Sequence, residues 1–158
     1  MCENGLKRIS EQELRKIQIE ILDEVDNFCR NHAINYWIDC GTLLGAVRHK
    51  GYIPWDDDID VGMLRDDYNR FAKEFNQKGK RYRFLCPEKD RDYCYAQGKV
   101  IDTNTVLYEP DETGRKLAVN IDIFVYDNAP NDEIKPKKCL INAIFIGDLM
   151  SHIHSDVT

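Results

Sequence analysis

Four carboxylates, Asp56, Asp57, Asp58 and Asp60, follow a Pro54-Trp55 pair, and the run Asp58-Ile59-Asp60-Val61 alternates polar with apolar. A strand turns successive side chains to opposite faces, so Asp58 and Asp60 are expected to point one way while Ile59 and Val61 enter a core. Two carboxylates on one face can share a divalent cation and leave open positions for phosphate oxygens. Without a cation such close like charges repel, and one carboxyl tends to keep its proton. Asp56 shares the parity of Asp58 and Asp60 and is expected at the mouth of the strand. Asp57 has the opposite parity and is not expected to be a ligand. The chemistry predicted is phosphoryl or nucleotidyl transfer.

Other residues extend this reading. Gly41 and Thr42 open a short apolar run. Gly41 permits close backbone approach, the following helix offers free N–H groups and Thr42 adds a hydroxyl, so the turn is a candidate phosphate cradle. An ordinary helix cap is the plainer alternative. Arg48, at the end of that helix, is the best candidate of Arg48-His49-Lys50 to offset a diphosphate. Asp122 alone interrupts the apolar run Val119–Val125. It is a third carboxylate ligand, a costly buried charge or an edge-strand residue facing water. Lys99, behind Gly98, reaches a phosphate or is a plain surface lysine. Trp37 and Trp55 stack on a base, enclose a quaternary ammonium or fill core. A calcium loop beginning at Asp56 is rejected: its sixth position is Val61 rather than Gly, and its twelfth is Asp67 rather than Glu.

The elements that must position these residues can be read from capping and period. Ser10 and Glu13 form a capping box ahead of a helix over 11–31, whose apolar stripe is structural. Strands are expected over 34–39, 58–63, 82–85, 93–101 and 119–126, and helices over 42–49, 65–76 and 134–152. That order gives an α+β domain. The 158 residues suit one domain, with 42% apolar and 32% charged residues. No membrane span is expected, and the first residues lack the apolar core of a signal peptide, so a cytoplasmic location is expected. Acidic residues outnumber basic ones, 28 against 22, which argues against a nucleic-acid partner. The six cysteines show no C-x-x-C spacing and are expected as free thiols.

The block Asp39-Cys40-Gly41-Thr42-Leu43-Leu44-Gly45-Ala46-Val47-Arg48, with Gly51-Tyr52-Ile53-Pro54-Trp55-Asp56-Asp57-Asp58-Ile59-Asp60, closely resembles the LicD family. Asn120-Ile121-Asp122-Ile123-Phe124 is similar to that family's second acidic strand. More broadly, the pattern resembles the nucleotidyltransferase fold of the DNA polymerase β type, a mixed sheet flanked by helices. The resemblance covers about Ile9 to Asn131. It implies a Mg²⁺-dependent transferase, with Mn²⁺ as a substitute, that moves a phospho-alcohol from a CDP-linked donor to a glycan hydroxyl. The alcohol is choline or an alditol, and the glycan is a lipopolysaccharide, teichoic acid or capsule. It also implies that Asp58 and Asp60 are the metal pair, Asp56 their preceding Asp, Asp122 the third carboxylate, and Gly41 and Thr42 the phosphate turn. Family members are usually longer, so the chain is expected to be a single domain, 1–158, cut short at its C-terminus. Two alternatives stand beside this reading: nucleotide transfer from an NTP to a small molecule, and a non-catalytic module with an incomplete site.

Overall fold

The computed structural model describes residues 7–75, 80–91, 93–108 and 116–128. The chain divides into two compact units, Met1–Tyr126 and Asp127–Thr158. All the described helices and strands belong to the first unit. The helix expected over 134–152 lies outside the described residues.

Helix α1 spans Glu11–His32. The Ser10 hydroxyl accepts the Glu13 N–H at 3.2 Å while the Glu13 carboxylate takes the Ser10 N–H at 2.8 Å, the reciprocal cap expected from the sequence. The helix ends where Ala33 turns left-handed, its N–H closing on the Cys29 carbonyl. Ile21, Val25, Phe28 and Cys29 are its buried stripe. After it come β1 (Trp37–Ile38), α2 (Cys40–Arg48), β2 (Asp60–Leu64), α3 (Arg65–Glu74), β3 (Tyr82–Leu85), β4 (Gly98–Asp102), β5 (Leu107–Tyr108), β6 (Lys116–Leu117) and β7 (Asn120–Tyr126).

Five strands form one sheet in the order β1-β2-β7-β4-β3, and β5 pairs with β6 separately. Within the large sheet β2 and β7 run parallel; the other pairs are antiparallel. Alternation divides the sheet into two faces. Val61, Met63, Val100, Ile121 and Ile123 are fully buried and share one core with α1 and α3, where Phe28 meets Phe71 and Phe75 edge-on. Each such side chain contributes about 1.5–3 kcal/mol by leaving water. The opposite face carries Asp60 and Gly62 of β2, Asp122 of β7 and Lys99 of β4. At Gly62 a Cβ would lie 2.4 Å from the Trp37 ring, so only glycine lets that indole cover the strand. Trp37 also meets Tyr126, with ring centroids 5.2 Å apart.

At the end of β4, Asp102 is fully buried with its charge met. Its carboxylate accepts from Arg81 Nη2 at 2.6 Å, Arg81 Nε at 3.0 Å and the Asn104 N–H at 3.0 Å. Among the described residues, no helix is long and apolar enough to cross a membrane.

Several elements depart from expectation. Helix α2 begins at Cys40 rather than residue 42, because Asp39 supplies the cap. Strand β2 begins at Asp60, so Asp58 precedes the strand. The carbonyls of Pro54, Asp56 and Asp57 bond to side chains of α1 instead of to a neighbouring strand. Strand β4 begins at Gly98 rather than residue 93, because the Tyr93 hydroxyl folds back on the Gln97 carbonyl at 2.6 Å. β1 is shorter than expected, and the β5–β6 pair was not foreseen.

Candidate active site

The start of α2, the loop over 54–59 and the polar sheet face converge. Asp39 caps α2: its Oδ1 accepts the Cys40 N–H at 2.9 Å and its Oδ2 accepts the Tyr126 hydroxyl at 2.5 Å. The Tyr126 bond holds the Asp39 carboxyl below its ordinary range. The Asp39 N–H donates to the Asp60 carbonyl at 2.9 Å, and Thr42 Oγ1 accepts the Asp60 N–H at 2.8 Å. The expected phosphate turn is therefore tied into the site from within: the Gly41 N–H is turned on the Asp60 carboxylate. The Thr42 hydroxyl accepts here and keeps its own proton to donate. Cys40 holds a left-handed backbone, φ 44°, a conformation that non-glycine residues seldom take and that tends to mark functional turns. Its thiol is pushed above its ordinary value, first by burial and then by Asp60, Asp39 and Asp58, so it is poorly suited to be a nucleophile.

Carboxylates crowd the opening. Oxygens of Asp56, Asp57 and Asp58 lie within 4.8 Å of one another. Asp57, set aside by strand parity, thus belongs to the cluster, because the backbone there is not a strand and parity does not apply. Asp56 presses against Gly41, where an added Cβ would stand 2.6 Å from Asp56 Oδ2. Asp60 pairs in register with Asp122 across the parallel β2–β7 ladder, and both are nearly buried. β7 lies inside the sheet, which removes the edge-strand reading of Asp122. Burial, then Asp58, Asp122 and Asp56, push the Asp60 carboxyl up to about 6 against the Gly41 N–H. Partial enclosure, then Asp56 and Asp122, raise that of Asp58 as well.

Lys99 stands opposite Asp122 in the antiparallel β4–β7 ladder. Its Nζ lies 2.5 Å from Asp122 Oδ1 and donates to Asn120 Oδ1 at 3.1 Å. Gln97 Nε2 donates to Asp122 Oδ2 at 2.7 Å. Lys99 is buried, which excludes the surface-lysine reading. Trp55 is 82% exposed, hence not core, with its ring edge-on to His49. Arg48 ends α2 and is exposed. A cavity of about 540 Å³ adjoins the cluster, lined by Trp55, Asp56 and Asp57 of the loop, Glu11 and Leu14 of α1, and Leu107 of β5 among others.

Sequence reasoning did not single out Asp39, Gln97 or Tyr126, whose hydrogen bonds tie the site together. Asp39 alone carried a usable signal, an Asp directly ahead of a helix.

A family model described as LicD/FKTN/FKRP, nucleotidyltransferase domain, matches residues 33–140. The lipopolysaccharide cholinephosphotransferase LicD of Haemophilus influenzae is 38% identical over 129 residues, 80% of this chain and 48% of that protein. An uncharacterized protein of Rickettsia typhi is 32% identical over 128 residues, 79% of this chain and 37% of that one. Human ribitol 5-phosphate transferase FKRP is 50% identical over 34 residues, 22% of this chain and 7% of that enzyme. The chain thus spans about half the length of the Haemophilus relative and less of the others.

Proposed function

This chain belongs to the LicD/FKTN/FKRP nucleotidyltransferase-domain family, and from that premise we propose that it transfers a phospho-alcohol from a CDP-linked donor to a glycan hydroxyl. The observation that carries the reading is a crowd of carboxylates short of positive charge. Asp56, Asp57 and Asp58 gather beside the start of α2, and Asp60 is driven up to about 6 by burial and its acidic neighbours. An all-oxygen donor set with surplus negative charge fits a hard divalent cation such as Mg²⁺. Asp56, Asp58 and Asp60 would hold it, with Asp122 facing the same space. Bound there, Mg²⁺ would supply Lewis-acid polarisation of the donor phosphates.

The protein groups have separable tasks. Lys99, already poised on a buried anion, meets the charge of the donor phosphates, and Arg48 and the Thr42 hydroxyl add donors from α2. The acceptor oxygen bonds to the phosphorus that bears the alcohol. The bond from that phosphorus to the bridging oxygen breaks, and cytidine monophosphate leaves with the electron pair. The acceptor proton passes to a carboxylate; Asp56 is favoured over Asp122, whose two oxygens are engaged by Lys99 and Gln97. The cavity beside Trp55 offers the carboxylates of Asp56 and Asp57, with Glu11 already paired to Arg15, and among the described residues its lining holds no basic side chain. That supports a cationic alcohol such as choline over a neutral alditol. A cytoplasmic setting accords with a nucleotide-linked donor.

Thermal unfolding with Mg²⁺ against CDP-choline, CDP-ribitol, CTP and ATP tests the reading. A ligand at 100 times its Kd stabilises by about 2.7 kcal/mol. A shift with CDP-choline that needs Mg²⁺ and disappears in Asp58→Asn is the expected result. A shift with CTP or ATP alone would instead favour nucleotide transfer to a small molecule. Metal binding without turnover on any donor would favour a non-catalytic module.

A further inference from the structure

Two polar side chains one turn apart on α1 reach the acidic loop. Arg15 Nη2 donates to the carbonyls of Pro54 and Asp56, each at 3.0 Å. Glu11 anchors the same nitrogen at 2.7 Å, and the guanidinium lies 5.0 Å from the Tyr52 ring centroid. Gln18, 4% exposed, donates from Nε2 to the Asp57 carbonyl at 2.7 Å and to the Asn120 carbonyl at 3.4 Å. Its Oε1 accepts the Tyr52 hydroxyl at 3.0 Å. Asn120 opens β7, the strand of Asp122. Three carbonyls of the loop and one of β7 thus converge on two side chains.

Stability alone explains this poorly. The core stripe of α1 is supplied by Ile21, Val25, Phe28 and Cys29, so buried Gln18 is placed for its hydrogen bonds and not for apolar packing. Arg15 Nε is buried with no hydrogen-bond partner among the described residues. The contacts do suit a loop whose carboxylates repel one another. Backbone carbonyls there need partners, since no strand pairs with them. Arg15 spends its positive charge on carbonyls and on Glu11, so the loop is shaped without the neutralisation that would compete with a cation.

We propose that Arg15 and Gln18 are positioning residues that hold the backbone of residues 54–57, and through it the carboxylates of Asp56 and Asp58, in the geometry that binds a divalent cation. The inference rests on reading the cluster as a metal site. The test is Mn²⁺ titration of the full chain, following free Mn²⁺ by electron paramagnetic resonance, with thermal unfolding in EDTA alongside. Gln18→Glu keeps the acceptor for Tyr52 and turns lone pairs on the carbonyls. Arg15→Lys keeps the charge and loses the planar fork. Both are expected to weaken Mn²⁺ binding about tenfold or more while remaining folded in EDTA, as supporting partners of metal sites do. Tyr52→Phe, which frees Gln18 on one side only, is expected to weaken it less. Variants with a lower Tm but unchanged Mn²⁺ affinity would overturn the proposal, since a merely structural pair behaves that way. If Gln18→Glu fails to fold, the milder Arg15→Lys and Tyr52→Phe decide the question. Wild-type protein that binds no Mn²⁺, or Asp58→Asn that binds as tightly as wild type, would overturn the metal reading itself, and the positioning role with it.

Discussion

Asp102 and Asp60 are both buried carboxylates, yet the chain treats them in opposite ways. Asp102 receives two N–H groups of Arg81 and the Asn104 N–H. Asp60 faces the Gly41 N–H but also three neighbouring carboxylates, and its carboxyl is pushed up rather than held down. A buried charge that serves the fold comes with its counter-charge; one kept short of positive charge serves something that arrives later. Asp122, held by Lys99, stands between the two.

Removing the cation from the satisfied site should have the largest effect. Arg81→Met strands Asp102 and should lower unfolding stability by about 3–5 kcal/mol, measured by urea denaturation. Asp60→Asn should do the reverse: metal-free stability holds or rises, while kcat falls by about 10²–10³, as when one preorganised electrostatic group is lost. If Asp60→Asn destabilises as much as Arg81→Met, the distinction between the two sites fails. Lys99→Met sharpens the intermediate case. It should tighten Mn²⁺ binding by freeing Asp122 yet reduce turnover, and a loss of both would assign Lys99 to structure. The smallest effect belongs to a surface carboxylate that is fully met. Lys7 first, then Ser10, hold Glu13 down to about 2. A depressed carboxyl stabilises above its unfolded value of 4.5, and that contribution is lost as pH falls through about 2. Glu13→Gln should therefore flatten this part of the stability profile, read by thermal melts across that range.

The same contrast explains what the sequence could reveal. The capping box, the stripe of α1 and the helix now seen as α3 were legible because local period and cap chemistry dictate them. Alternation was legible within the strand of Asp60, but that Asp60 and Asp122 stand side by side depends on the register of β2 against β7, which no local pattern gives. The place of Asp57 beside Asp56 and Asp58 was not legible, because parity requires a strand and α1 claims the carbonyls that a strand would have used. The bonds of Lys99 to Asp122, Arg81 to Asp102 and Gln18 to Asp57 join residues far apart in the chain. No local pattern encodes such pairings. The two-residue strands β5 and β6 are too short to show a period.

The two tryptophans have been given opposite surroundings. Trp37 lies against Gly62 and beside Tyr126, whose hydroxyl holds the cap of α2, while Trp55 stands 82% exposed at the cavity mouth. The protein therefore carries its own pair of fluorophores, separable without labelling. Caesium, a cationic quencher drawn to the carboxylates beside Trp55, should quench that residue first, leaving emission from Trp37 as an optical report on the junction of α2 and β2.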